Sequence, residues 1–500
     1  MAYYDARKTA RGMAQVKAAQ LQVWRREAER ITVGKNLLYF RQGVGLKFDK
    51  RRLARLEKET LRHDKAFVRK FGGQPDALFN LCALEIGYSE TYKQYLRLFD
   101  TRTKKVVTKK YKVSGAAVNW GSWRQFASGT DDSRARKDVF DTFLRKSSLL
   151  APIVRARFDG FAKSMSDIGT DPLANYLAME GIDYRHLIAL VESLGSSLRP
   201  VFAKSLGRFS KEILGRDADY YDDFYFFRSR VFRKYAEDFL PKVDPFAQIV
   251  RTMAEMGLDA SKIRVDSADR KGKSASAFCF GINIPEDVRL SYRKANPLDD
   301  FTNIFHETGH GIHFSSIEQE ALYEDKYGTP MGVAEIFSIF FENLMHDRDY
   351  LQRKLGLSEN TALDLVDRFR FNDQFFTTFY SANSIMKLGY WHDGLSMGEA
   401  AKRYSELTEK YMGIRYPGEY WLLHHVMPDY PLYSPSYLLA ALRASELGKK
   451  LISRFGERYW QEKGSGKFLL ELMKPGRGIE LQRFSKLNTG PYVEAVSGTG

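Results

Sequence analysis

The stretch Phe305-His306-Glu307-Thr308-Gly309-His310-Gly311-Ile312-His313 decides how the rest of the chain is read. On a helix, His306 and His310 stand about 40° apart around the axis. Both imidazoles can then reach one Zn2+ ion at roughly 2.0–2.1 Å. Glu307 falls about 100° away, beside the ion rather than on it, where a carboxylate can take a proton from zinc-bound water. A histidine pair with a flanking carboxylate in this order points to metal-assisted hydrolysis of peptides. The flanks favour a helix: Asn296-Pro297 offers a cap followed by proline at the first helical position, and Asp299 and Asp300 suit the positive end of the dipole. Phe301, Ile304, Phe305, Ile312 and Phe314 supply an apolar surface. Gly309 and Gly311 oppose a helix by about 1 kcal/mol each relative to alanine, so they predict a buried helix crossed closely by another element.

Working outward, the composition is that of a globular chain, with 44% hydrophobic and 28% charged residues. Its 500 residues exceed one ordinary domain and suggest two lobes. Two cysteines, Cys82 and Cys279, exclude a disulfide framework and a thiolate zinc site. The first residues carry no apolar run like a signal peptide, and no later stretch reaches membrane-spanning length, so a cytoplasmic enzyme without membrane contact is expected. The net charge of +16 raises nucleic acid as a partner. However, Arg102, Lys104, Lys105, Lys109, Lys110 and Lys112 interleave with Val106, Val107, Thr108 and Tyr111 like a solvated strand of a hairpin. No nucleic-acid motif accompanies them, and a basic cleft that attracts acidic peptides is the intermediate reading.

Most of the chain reads as helix. Residues 13–30 and 48–70 are charged and amphipathic, and 134–165, 183–215 and 222–239 follow, with breaks or kinks expected at Pro152, Gly160 and Pro200. Leu240-Pro241-Lys242-Val243-Asp244-Pro245 is the candidate boundary between an N-terminal helical lobe, 1–240, and a catalytic region, 241–490; residues 491–500 are expected to fray. A helix near 245–257 precedes three short strands at 262–266, 277–282 and 288–292, and helices resume from about 297 to 455. The expected fold is mainly α with one small β-sheet beside the motif helix.

A catalytic zinc site needs a third protein ligand. His313 returns to the face of His306 but lies about 10 Å along the axis, too far to share one ion; it is left to support a ligand, touch substrate or simply pack. Gly332-Val333-Ala334-Glu335-Ile336-Phe337-Ser338-Ile339-Phe340-Phe341-Glu342 offers a better candidate, with two carboxylates on one face of an apolar helix. Unless they reach solvent or form ion pairs, such groups need partners. One ion for Glu335 and a ligand histidine's second N–H for Glu342 would supply them. Further on, Trp421-Leu422-Leu423-His424-His425-Val426-Met427-Pro428-Asp429-Tyr430 runs into Pro431-Leu432-Tyr433-Ser434-Pro435-Ser436-Tyr437, where a histidine and tyrosine hydroxyls could donate to an oxyanion.

These residues together resemble the thimet oligopeptidase and oligoendopeptidase F family of zinc metallopeptidases. His306, Glu307, His310 and His313 match its zinc motif with an extra histidine, and Glu335, Ser338 and Glu342 match its downstream helix. Arg270-Lys271-Gly272-Lys273 leading into Ala277-Phe278-Cys279-Phe280-Gly281 looks like the segment before its motif helix. The resemblance implies that this segment, with Gly281, is an edge strand that pairs with extended peptide. It implies catalytic roles for His425, Tyr430 and Tyr437 by their spacing, and two helical lobes around a deep substrate channel. Departures are Pro428, Pro431 and Pro435, which stiffen a loop commonly rich in glycine, and Phe337 and Ile339 around the serine.

The expected activity is hydrolysis of short unfolded peptides with one Zn2+ on His306, His310 and Glu335, and Glu307 as general base. A metallocarboxypeptidase of the carboxypeptidase Taq type is the nearest alternative, through Tyr433 to Tyr437 and Asp287-Val288-Arg289. A non-catalytic peptide- or nucleic-acid-binding scaffold is the alternative from another class, and the presence of Glu307 argues against it. Nothing in the sequence sets an oligomeric state.

Overall fold

A computed structural model describes residues 2–72, 76–98, 108–149, 151–238, 243–422, 432–479 and 487–498. His425 and Tyr430 lie outside the described residues, as do most of the basic segment from Arg102 and the centre of the expected lobe boundary.

The first half is built on α1 (Ala2–Gly43), α2 (Lys50–Phe71), α3 (Ala77–Leu98), α4 (Ser133–Lys146), α5 (Ala151–Ser166), α6 (Pro172–Glu180) and α7 (Tyr184–Leu214). Asp caps set several of these starts. Asp49, Asp132, Asp171 and Asp183 each accept a backbone N–H from the first turn of the helix that follows. Pro152 sits at the start of α5 rather than breaking it, while Gly160 and Pro200 lie inside continuous helices. The basic segment ends in a short antiparallel hairpin, β1 (Tyr111–Val113) with β2 (Ala116–Val118).

Residues 222–239 depart from the expected regular helix. Asp223–Phe227 forms a π turn and Arg230–Phe232 a 3-10 turn before a short helix at Arg233–Asp238. The reason is side-chain competition for local geometry. Asp222 is fully buried by Arg136 at 2.9 Å and Arg216 at 2.8 Å, and Asp223 takes Arg228 at 2.8 Å.

The second half opens with α8 (Pro245–Glu255) and a three-stranded sheet in the order β3 (Ile263–Asp266), β5 (Asp287–Ser291), β4 (Phe278–Asn283). β3 runs parallel to β5 and β4 antiparallel to it, so β4 is an edge strand. The motif lies on α9 (Pro297–Ser316), whose cap is as expected: the Asn296 side chain accepts the Asp299 N–H at 3.0 Å, with Pro297 in the first turn. α10 (Met331–Glu342) is buried from Gly332 through Phe341, which suits its nearly all-apolar surface. There follow α11 (Arg348–Leu355), α12 (Glu359–Asp393), α13 (Met397–Met412), α14 (Tyr433–Phe455), α15 (Lys463–Met473) and α16 (Gly490–Ser497).

The tail does not fray as expected through Ser497. Val496 is buried and its carbonyl accepts Gln374 Nε2 at 3.0 Å, while the Tyr492 hydroxyl lies 2.7 Å from Thr377. Burial of Val496 together with these two hydrogen bonds opposes the entropy of a free end.

The fold is mainly α with small sheets, and its interior forms two large apolar clusters. One joins residues of β1 to α7 with α12, α13 and the start of α14. The other surrounds α9 and α10 with α8, β3, β5, α14 and α15. The first draws on residues from both sides of position 240, because α12 packs back onto α7. Tyr437 touches both clusters, so α14 is the seam between them. Among the described residues no helix is long and apolar enough to cross a membrane.

Candidate active site

The site forms where α9 crosses α10. Gly309 permits the crossing: a Cβ there would lie 2.4 Å from the Phe337 carbonyl oxygen and 2.6 Å from Ser338 Cα. Gly311 faces β3, where a Cβ would meet Ile263 Cδ1 at 2.8 Å. The two residues that weaken the helix locally are therefore those that let two neighbouring elements approach it.

That approach brings Glu335 to the histidines. Its Oε2 lies 3.2 Å from His306 Nε2 and 3.4 Å from His310 Nε2, and the donor atoms of all three residues lie within 4.8 Å of one another. The two carboxylate–imidazole separations fit an ion. Ligand bonds of roughly 2.0–2.1 Å in a tetrahedral shell put neighbouring donor atoms about 3.3–3.4 Å apart. Two imidazole nitrogens and one carboxylate oxygen are also a donor set that suits Zn2+. Ser338 Oγ donates to Glu335 Oε2 at 2.7 Å and fixes the carboxylate from one turn along α10.

Glu342, two turns beyond Glu335, meets the other nitrogen of the His306 ring. Its Oε2 is 2.7 Å from His306 Nδ1, which leaves Nε2 directed at Glu335. The charges are mutually supporting. Burial would depress His306, but hydrogen bonds to Glu335 and Glu342 raise it well above the usual histidine range. Burial would raise Glu335, but His310 and His306 hold it well below the usual carboxylate range. An ionised, buried carboxylate beside two imidazole nitrogens that can give up their protons suits a metal ion.

Glu307 lies beside this cradle, facing β4. Burial raises its carboxyl above the ordinary value, opposed by the nearby His310 and His306 and by a hydrogen bond from the Cys279 N–H. A carboxylate raised toward neutrality and close to the candidate ion position suits a general base. β4 is itself partly engaged along its outer edge, since the Gly281 carbonyl accepts Asn36 Nδ2 of α1 at 3.0 Å.

His313 is fully buried, its ring 4.7 Å from that of Phe337, and neither ring nitrogen has a hydrogen-bond partner among the described residues. Burial pushes its pKa down to about 3, with His310 adding to the effect. It is not grouped with His306, His310 and Glu335, as its distance along the helix predicts.

Facing the cradle from α14 are Tyr437 and Tyr433, one helical turn apart with ring centroids 5.8 Å from each other. Tyr380 of α12 completes the group at 5.6 Å from Tyr437 and 6.5 Å from Tyr433. Burial raises all three hydroxyls, and the charge of Glu335 adds to each. They are therefore protonated donors at neutral pH. Tyr433 is visible in the sequence as the residue one turn before Tyr437. Tyr380 carries no such signal, because only the packing of α12 on α14 brings it here.

Residues 231–417 match the model of Peptidase family M3. No curated protein sequence matches. Among solved structures, PZ peptidase A with an inhibitor is similar at 16% identity and a TM-score of 0.62, over 92% of this chain and 88% of that one. A protein assigned as an oligoendopeptidase F from Bacillus anthracis str. Ames is similar at 15% identity and a TM-score of 0.62, over 93% and 87%. At these identities the structural likeness is one of fold. The family match spans the sheet, α9 and α10, and ends before the histidine–tyrosine segment. The resemblance to the thimet oligopeptidase and oligoendopeptidase F family is thereby borne out over residues 231–417, and the structural likeness extends the shared fold over most of the chain.

Proposed function

We propose that the protein is a zinc-dependent endopeptidase for short, unfolded peptides. The observation that carries this reading is the convergence of His306, His310 and Glu335 donor atoms within 4.8 Å, with Glu307 beside them and against an edge strand. When bound, Zn2+ would supply the Lewis acidity that polarises a peptide carbonyl and acidifies a water molecule. Glu307 takes the proton of the attacking water and returns it to the leaving amine. Tyr437, with Tyr433 one turn before it, donates to the oxyanion that develops on the carbonyl. His425 and Tyr430 keep the donor roles that the family resemblance implies for them. Glu342 holds His306 by its Nδ1 and Ser338 holds Glu335, so both donors enter the cradle already oriented. Substrate backbone would pair along β4, with Asn36 giving up the Gly281 carbonyl where the two compete. A cytoplasmic setting belongs to the same proposal and is supported by two free thiols, Cys82 and Cys279.

One observation bears on where the cut falls. A carboxypeptidase needs a cation to hold the free C-terminal carboxylate. Arg289, from the segment that suggested that alternative, is held by Asp287 through Nε at 2.8 Å and Nη2 at 2.7 Å. This weighs against Arg289 itself in that role.

The test is Glu307→Gln with zinc quantified in both proteins. Retained zinc with hydrolysis lowered by about 10²–10⁴-fold is expected for loss of a general base. Hydrolysis unchanged in the variant would refute the mechanism. Products from a peptide labelled internally and at its C-terminus then separate the cuts, and stepwise C-terminal loss would overturn the endopeptidase reading.

A further inference from the structure

Glu180, the last residue of α6, has a fully buried carboxylate lodged between α10 and α14. Its Oε1 accepts the backbone N–H of Gly332 at 2.9 Å and Ser436 Oγ at 2.8 Å. Gly332 is in the first turn of α10, three residues before Glu335; Ser436 immediately precedes Tyr437. Oε2 lies 3.3 Å from Arg443 Nη1, which also donates to the Gly332 carbonyl at 2.6 Å, and Arg443 Nη2 donates to the Glu180 carbonyl at 3.2 Å. Gly332 is required for this closeness, since a Cβ there would sit 2.3 Å from Glu180 Oε2.

Two physical points make this more than packing. The first N–H groups of a helix have no partner within it, and the residue that precedes α10 is Pro330, which provides no side-chain cap. A carboxylate from a helix some 150 residues away in sequence takes one of those N–H groups, at the end of the helix where negative charge is favoured. Moreover, a buried ion pair is weak evidence for stability, because well-packed apolar residues often serve as well. What this pair adds is geometry. One carboxylate joins the helix that carries Glu335 to the helix that carries Tyr433 and Tyr437.

We propose that Glu180 is a positioning residue, which sets the separation between the metal-side carboxylate on α10 and the tyrosine hydroxyls on α14. The role rests on the proposed peptidase function. It places part of the control of the site in the N-terminal half of the chain.

The experiment uses the full chain in three forms: Ser436→Ala, Glu180→Gln, and Glu180→Gln combined with Arg443→Met, which removes the cation left unpaired. Each is assayed for kcat and KM on an internally quenched peptide, for Zn2+ affinity by chelator competition, and for its unfolding midpoint. We expect the double variant to regain part of the midpoint lost in Glu180→Gln, because the uncompensated cation is gone, while kcat stays lowered by about tenfold or more, as a misplacement of up to ~1 Å implies. KM should change little. Ser436→Ala, which removes the hydroxyl that bridges Glu180 and Tyr176, should lower kcat with only a small fall in the midpoint. Zn2+ affinity should weaken by about tenfold in Glu180→Gln and in the double variant, the lower end of what loss of a supporting contact costs. Values of kcat, KM and Zn2+ affinity all within twofold of wild type in Ser436→Ala and Glu180→Gln would overturn the proposal. Should the double variant fail to fold, those single variants decide it. If the wild-type protein hydrolyses no peptide, the functional reading falls, and the Zn2+ affinity of Glu180→Gln still decides whether Glu180 positions α10.

Discussion

Replacing Gly309 by alanine tests the crossing of α9 and α10 on which the whole site depends. The new Cβ would sit 2.4 Å from the Phe337 carbonyl oxygen and 2.6 Å from Ser338 Cα. Ordinary contact begins near 3.4 Å, so the two helices must part by about 1 Å (roughly 3.4 − 2.4) at this point. Both obstructing atoms are backbone, and no side-chain rotation can relieve them. The same shift moves Glu335, two residues from Phe337, away from His306 and His310, opening contacts now at 3.2 and 3.4 Å. Overpacking a buried site costs about 1–3 kcal/mol, against about 1 kcal/mol gained in helix propensity. The net expectation is a loss of up to about 2 kcal/mol, with Zn2+ affinity weakened by about 10–100-fold. Gly311→Ala is the built-in control, because its Cβ meets side-chain atoms of Ile263, Cδ1 nearest, rather than backbone, and a side chain can shift. Chelator competition and urea unfolding on the two variants make the measurement. A Gly309→Ala protein that is more stable by about 1 kcal/mol and binds Zn2+ as tightly as wild type would refute the reasoning.

Three other outcomes are expected. Glu342→Gln, which replaces the carboxylate held 2.7 Å from His306 Nδ1, should weaken Zn2+ binding by about 10–100-fold; unchanged affinity in chelator competition would show that this contact does not orient the ring. Tyr437→Phe should lower kcat by about 10²–10³-fold with KM little changed, the effect of removing one oxyanion donor, and steady-state kinetics on one peptide would decide it. His313 has its pKa pushed down to about 3 by burial, so below the ordinary histidine value near 6.5 the unfolded chain binds a proton that the folded chain does not. Stability from this group is complete above about pH 6.5 and is lost as pH falls toward about 3, by roughly 1 kcal/mol per pH unit. His313→Leu should remove that slope between pH 6 and 4 and leave zinc stoichiometry at one, as equilibrium unfolding and metal analysis can report; a variant that loses the metal would sink this assignment.

Much of the site is legible in the sequence because its central device is local. His306, Glu307 and His310 need only a helix, and Asn296, Pro297, Asp299 and Asp300 specify where that helix starts within a few residues of sequence. Gly309 and Gly311 even announce that something crosses close by, although they do not say what. Glu335 and Glu342 could be singled out because carboxylates on an apolar helix call for partners. Irregular backbone was harder to read: in 222–239 the apolar pattern suggested a helix, and buried Asp222 and Asp223, paired with arginines, turned it into π and 3-10 turns. The tail failed as an expectation for the same reason in reverse, since its small residues gave no hint that Tyr492 and Val496 would dock on α12.

What the sequence determined by itself is therefore what near neighbours carry: a mainly helical chain, a histidine pair spaced for one metal ion, a carboxylate adjacent to it, and His313 placed too far along the axis to join them. What only the tertiary structure decided is which distant groups meet that pair. Glu335 reaches both histidines because Gly309 lets α10 descend onto α9. Tyr380 faces Tyr437 because α12 packs against α14, and Glu180 joins α10 to α14 from the other half of the chain. The physical reason is range: caps, periodicity and propensity act over a few residues, whereas these meetings are set by close packing among helices, which no local pattern encodes.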